Sequence, residues 1–148
     1  MSVIERALSL HASCATALYF GALIYAFAGH SAAATSNANR ALRLSPFDPL
    51  AYLAHEAYGI AAVQEARLDE AASHLARAVQ GNSGLGILYL YQAAVLALAG
   101  RAEEARPIAR RGLELVPGLR FRVFLELGLV PAIVDKLTEG ARLLGLPE

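Results

Sequence analysis

Apolar side chains recur every third or fourth position along most of the chain, and short breaks carrying Gly, Pro, Asn or Ser separate these stretches. The pattern predicts helices over residues 2–10, 14–28, 31–44, 49–65, 68–81, 85–99 and 102–115. Pro107 falls inside the last of these and is expected to bend it or to shift its start. Beyond Pro117, "LRFRVFLELGL" reads as a short helix. "PAIVDKLTEGARLLGLPE" reads as a final helix with Pro131 in its first turn. Its apolar stripe is Ile133, Val134, Leu137, Ala141 and Leu144, and Gly145 and Pro147 close it. The fold class expected is therefore all-α.

The stretches are also copies of one another. Gly29, Ala66 and Gly100 align, as do Ala34, Ala71 and Ala105, then Ala41, Ala78 and Gly112, then Pro46, Ser83 and Pro117. The second-to-third step is 34 residues in every column, and the first-to-second step is 37. The three extra residues fall in "SPFDPL", a turn where insertion is tolerated. "IERALSL" echoes "NRALRLS" one step back, so residues 1–13 read as part of a further unit.

Close packing of paired helices accounts for the columns. Two helices approach to about 8–10 Å, and closer where the contact residues are small. Ala22, Gly59 and Ala93 supply the small residue in the first helix of each unit, and the aligned Ala and Gly positions supply it in the second. Tyr25, Leu75, Leu96 and Ile108 are expected to fill the space around the crossings. Gly29 and Gly100 suit helix ends that need a left-handed backbone. Asp69–Glu70 and Glu103–Glu104 suit the positive end of a helix dipole.

A 34-residue helix–turn–helix unit with small residues in these columns resembles the tetratricopeptide repeat. The first aromatic position of that pattern carries Leu18, His55 and Tyr89, never Trp. The resemblance implies a right-handed α–α superhelix of three to three and a half repeats, a single domain over 1–148. The repeats would be 14–46, 49–83 and 86–117 after the partial unit 1–13, and residues 119–148 would form a cap over the last apolar face. "RALRLSPFDP", "EEARPIARRGLELVPG" and "LTEGARLLGLPE" also resemble the C-terminal repeat region of bacterial class III adenylate cyclases. That likeness implies a regulatory or scaffolding segment without cyclase activity, because the catalytic domain has no counterpart in these residues.

Composition narrows the function classes. Formal net charge is zero, which argues against a nucleic-acid binder. Cys14 is the only cysteine, so no internal disulfide forms and nothing demands an oxidising compartment; the cytoplasm is the expected place. The thiol is expected to be buried and inert. No basic region followed by an apolar stretch and a cleavage site marks a signal peptide. No charged residue occurs between Ala7 and Asn39, and "CATALYFGALIYAFAG" lies in that window. Its 16 residues fall short of the roughly 20 a bilayer span needs, so it is expected to be a buried helix rather than a membrane span.

Candidate chemistry is sparse. His11, His30, His55 and His74 lie on separate helices; only His55 and His74 are expected to approach each other, and two ligands are too few for structural zinc. The acidic pairs are adjacent in sequence, so their side chains diverge and cannot converge on one substrate. "QGNSGLG" lacks the Lys-Ser/Thr of a phosphate loop and reads as an inter-repeat turn. No catalytic residue, metal or cofactor is therefore expected. Arg101, Arg106, Arg110, Arg111, Arg120 and Arg122 form the one local basic patch, read as a solvated face or as a site for an acidic partner.

Binding is what remains. The repeat pattern maps its concave groove to Tyr19, Leu23 and Phe27, to Leu53, Glu56, Ile60 and Gln64, and to Leu90, Ala94 and Leu98. These positions lack the Lys, Arg and Asn that clamp a terminal carboxylate, so an apolar helix or peptide is the expected ligand. The occupant would be a partner protein, a sister domain, a second copy of the chain or its own residues 119–148. A regulatory cyclase segment and a small apolar ligand are the alternatives.

Overall fold

A computed structural model of the chain describes residues 2–148, apart from the Leu8 side chain. Seven α-helices and one 3-10 segment make up the described residues, and no strand occurs among them. The helices are α1 (Val3–Phe27), α2 (Ser31–Leu44), α3 (Ala51–Gln64), α4 (Leu68–Gly81), α5 (Gly86–Leu98), α6 (Ala102–Leu115) and α7 (Pro131–Leu143). The 3-10 segment is Phe121–Leu125.

From α2 onwards the elements follow the sequence pattern closely. The exception is α1, where two expected helices are one of 25 residues. Residues 11–13 are His, Ala and Ser, with no Gly or Pro to interrupt the hydrogen-bond ladder, so the helix runs through. Ser2 caps it reciprocally with Glu5: the Glu5 N–H donates to Ser2 Oγ at 3.1 Å, and the Ser2 N–H donates to Glu5 Oε2 at 2.7 Å. Pro107 neither stops α6 nor shifts its start.

The three hairpins α1–α2, α3–α4 and α5–α6 close with the same turn. The second residue past the first helix has positive φ: 81° at Gly29, 59° at Ala66 and 80° at Gly100. In each turn that residue donates its N–H three residues back, and the next residue donates five back. The pairs are Gly29 to Ala26 and His30 to Tyr25, Ala66 to Val63 and Arg67 to Ala62, and Gly100 to Ala97 and Arg101 to Leu96. This is the Schellman arrangement, which satisfies carbonyls left free at a helix end. Arg67 and Arg101, each one residue past the turn, pair with Glu70 and Glu104 three positions on.

The small-residue columns sit at the helix crossings. Ala22, Ala34, Ala41, Ala71, Ala78, Ala93 and Ala105 are all fully buried. A Cβ on Gly59 would come within 2.7 Å of Leu75 Cγ, and one on Gly112 within 3.0 Å of Tyr89 Cβ. Leu75 and Leu96 fill the space around the crossings, and Ile108 does so partly. Tyr25 does not: it is 41% exposed and meets the His30 ring edge-on. Between hairpins, Ser45–Leu50 form the longer connection, folded by Asp48. Its Oδ2 accepts from Ser45 Oγ at 3.1 Å and its Oδ1 from the Leu50 N–H at 2.9 Å.

Candidate functional site

The end of the same chain packs on α5 and on the end of α3, and reaches α1 at its last residue, Phe27. After α6 the chain passes through the 3-10 segment, where Phe124 stacks on Tyr91 with ring centroids 5.7 Å apart. It then reaches the far end of α1, where the Val130 N–H donates to the Phe27 carbonyl at 2.9 Å. From there α7 runs back across α3 and α5. Lys136 Nζ donates to the Val63 carbonyl at 3.0 Å and to the Gln64 carbonyl at 3.4 Å, at the C-terminal end of α3. Gly140 lies so close to α5 that a Cβ there would run into the Ala94 carbonyl. Leu144 and Leu146 then flank a cavity with Arg106 and Arg110 of α6. The tail closes with the Phe121 N–H on the Pro147 carbonyl at 3.0 Å.

The buried stripe of α7 is Ile133, Val134, Leu137, Gly140 and Ala141. This is the helical spacing read from the sequence, with Leu144 half-buried at its end. Burying four such apolar side chains contributes on the order of 5–8 kcal/mol before the entropy of ordering the segment is subtracted.

None of the ten expected groove residues is exposed. Tyr19, Leu53, Glu56, Ile60, Leu90 and Ala94 are buried, and Leu23, Phe27, Gln64 and Leu98 are half-buried. The Tyr19 hydroxyl also donates to the Ser45 carbonyl at 2.7 Å and so fastens α1 to the α2–α3 connection. Glu56 is the one buried charged residue among those described, 4% exposed. Burial pushes its carboxyl up to about 7. The nearby Tyr91 phenol is raised by its own burial and then by Glu56.

The arginine patch divides. Arg101 donates to both oxygens of Glu104, at 2.6 and 3.0 Å, and to Asp69 at 3.1 Å, joining the starts of α4 and α6. Arg106 pairs with Glu103 at 3.7 Å and Arg111 with Glu114 at 3.2 Å. Arg120 donates to the Glu148 carbonyl at 3.4 Å. Arg122 lies elsewhere, in a cavity of about 320 Å³ shared with Asp135, Arg142 and Glu148. Three of the six arginines, Arg101, Arg106 and Arg111, are thus paired with acids.

His55 and His74 do meet, through Tyr58. Its ring lies 6.1 Å from His55 and 5.1 Å from His74, and its hydroxyl donates to Asn39 Oδ1. Desolvation lowers both imidazoles, helped at His55 by Arg77. No group of three metal-ligating side chains forms among the described residues. Cys14 is exposed, not buried, because it lies on the side of α1 that faces away from α2 and α3. The same holds for much of α1. It is long and apolar enough, by length and composition, to cross a membrane, and 18% of its most apolar stretch is buried. The buried helix expected across 14–29 is buried along one stripe only: Ala15, Tyr19, Ala22 and Ala26.

Three residues of this site do not stand out in the repeat pattern: Val130, Lys136 and Gly140. Gly140 nevertheless carries a signal. A glycine inside a helix costs about 1 kcal/mol relative to alanine, so its presence points to a close backbone approach.

No family model matches the chain, and no curated protein or solved structure does.

Proposed function

We propose that the chain is a non-catalytic interaction module of tetratricopeptide type, a right-handed superhelix whose groove receives an apolar helix, and that in the isolated chain the occupant is α7. The observation that carries this reading is the seat of Gly140 on the Ala94 carbonyl. A helix with a small residue at that point nests against α5, and its Ile133–Leu137 face covers the apolar floor. A partner helix of the same pattern would compete for that seat. The surroundings suit apolar contact rather than chemistry.

Competition tests this reading. Gly140→Leu forces a side chain into the α5 backbone and should eject α7. A fluorescent peptide of residues 129–147 should then bind the variant at micromolar concentration and bind the unaltered chain far more weakly. A peptide that binds neither form, while the variant keeps the circular dichroism of a folded helical chain, refutes the groove reading.

A further inference from the structure

We infer that the outer face of α1 is a self-association surface, on which the first half of α1 from a second copy lies antiparallel. This surface is separate from the groove that α7 fills. Val3, Leu10, Ala17 and Ile24 recur every seven residues along it, and Ala7, Cys14 and Gly21 follow each of the first three by four. Val3, Leu10 and Ile24 are 85%, 60% and 67% exposed. A seven-residue apolar repeat is the period that matches another helix over several turns, whereas lipid imposes no register.

The occupant is argued from three features of α1 itself. First, its two halves are complementary. An antiparallel pair centred between Cys14 and Ala17 sets Ile24 of one copy against Ala7 of the other, a large side chain facing a small one; Leu10 comes opposite Gly21, where the Asn37 amide of α2 fills the space a Cβ would take. Second, that register brings Arg6 to the last turn of the other α1, which has no basic residue of its own. A cation there is favourable to the helix dipole. Third, the paired segments extend over about 27 Å, which buries about 1,000 Å² in total, the lower bound for a specific interface. The buried stripe of α1, Ala15, Tyr19, Ala22 and Ala26, lies on its opposite side, and Asn37 of α2 reaches round to the pairing face beside Gly21.

A bilayer fits this face less well. The second half of α1 packs on α2, whose Asn39, Arg40 and Arg43 would have to enter the hydrocarbon with it. Arginine at that depth costs about 2.5–3.5 kcal/mol even on the lenient scale.

The experiment uses the full chain. Sedimentation velocity at about 50 μM should give a dimer, and a short bis-maleimide should link two copies through Cys14, the only thiol. Leu10→Glu buries one unpaired carboxylate per copy and should raise the dimer dissociation constant at least about a hundredfold. It should also abolish the cross-link while leaving α2–α7 folded, since Leu10 lies outside the core. A monomer at this concentration overturns the inference. So does a dimer indifferent to both Leu10→Glu and Ile24→Glu. Protection of Cys14 by phosphatidylcholine vesicles, with no dimer in their absence, overturns it in favour of lipid. Gly140→Leu, which probes the groove, should leave the dimer intact.

Discussion

The Lys136 ammonium sits 3.0 Å from the carbonyl of Val63, so the chain's single lysine fastens its last long helix to the end of α3. The Val63 carbonyl also accepts from Ala66, inside the Schellman turn, so one group serves both a local turn and a long-range clasp. A cation at a helix C-terminus is favourable both to the free carbonyls and to the dipole.

Lys136→Met keeps the alkyl stem and removes the charge. The expected loss is about 1.5–3 kcal/mol, the range for a hydrogen bond to a charged group. Urea unfolding measures it, and a change in midpoint without a change in slope would identify a loss of stability alone.

Gly140→Ala adds one methyl and should cost more than about 2 kcal/mol, because the obstacle is the Ala94 backbone, which cannot rotate away. Gly84→Ala is the control, with nothing within 4 Å of the added carbon. Hydrogen exchange should show amides of α7 losing protection in the first variant and none doing so in the second.

Ala66 occupies a left-handed position that Gly29 and Gly100 hold in the other two hairpins. Ala66→Gly should therefore stabilise the chain by about 0.5–1 kcal/mol, the strain relieved exceeding the entropy that glycine adds to the unfolded state. Gly100→Ala should destabilise by about 1 kcal/mol. Thermal melts of the pair should move in opposite directions.

Glu56 predicts a pH dependence of definite sign. Its carboxyl titrates near 7 in the folded chain against 4.5 as the ordinary value. Between those values the folded state holds a proton that the unfolded state has released. Stability from this group is thus complete below about pH 4.5, falls as pH rises to 7, and is lost above, by about 3 kcal/mol in all. Glu56→Gln should flatten that portion of the stability profile. A profile with the same slope in the variant would show that another group titrates there.

The hairpins are legible in the sequence because their determinants are local. A glycine at a turn, a small residue at a crossing and an acid in a first turn act within one unit, and the 34-residue step repeats them. The departures have a common physical source. Periodicity tells which stripe of a helix is apolar, but not what lies against it. Cys14 and Tyr25 belong to an apolar stretch that predicts them inside, yet only the stripe through Tyr19 and Ala22 finds a partner within the chain. The groove residues are legible as an apolar set. The attachment of α7 to the ends of α1 and α3 and to α5 rests on Val130, Lys136 and Gly140, which meet residues far away in sequence and follow no repeat.

An array of hairpins that touch only their neighbours tends to open from its ends, one unit at a time. Here α7 bridges the first hairpin to the last, and Phe27, Val63 and Ala94 are each held by this 13-residue helix or the residue that caps it. Fraying of the last hairpin would have to break that bridge first. Whatever displaces the bridge leaves the hairpins held only by their direct neighbour contacts, α1 and α2 on α3 and α4 on α5.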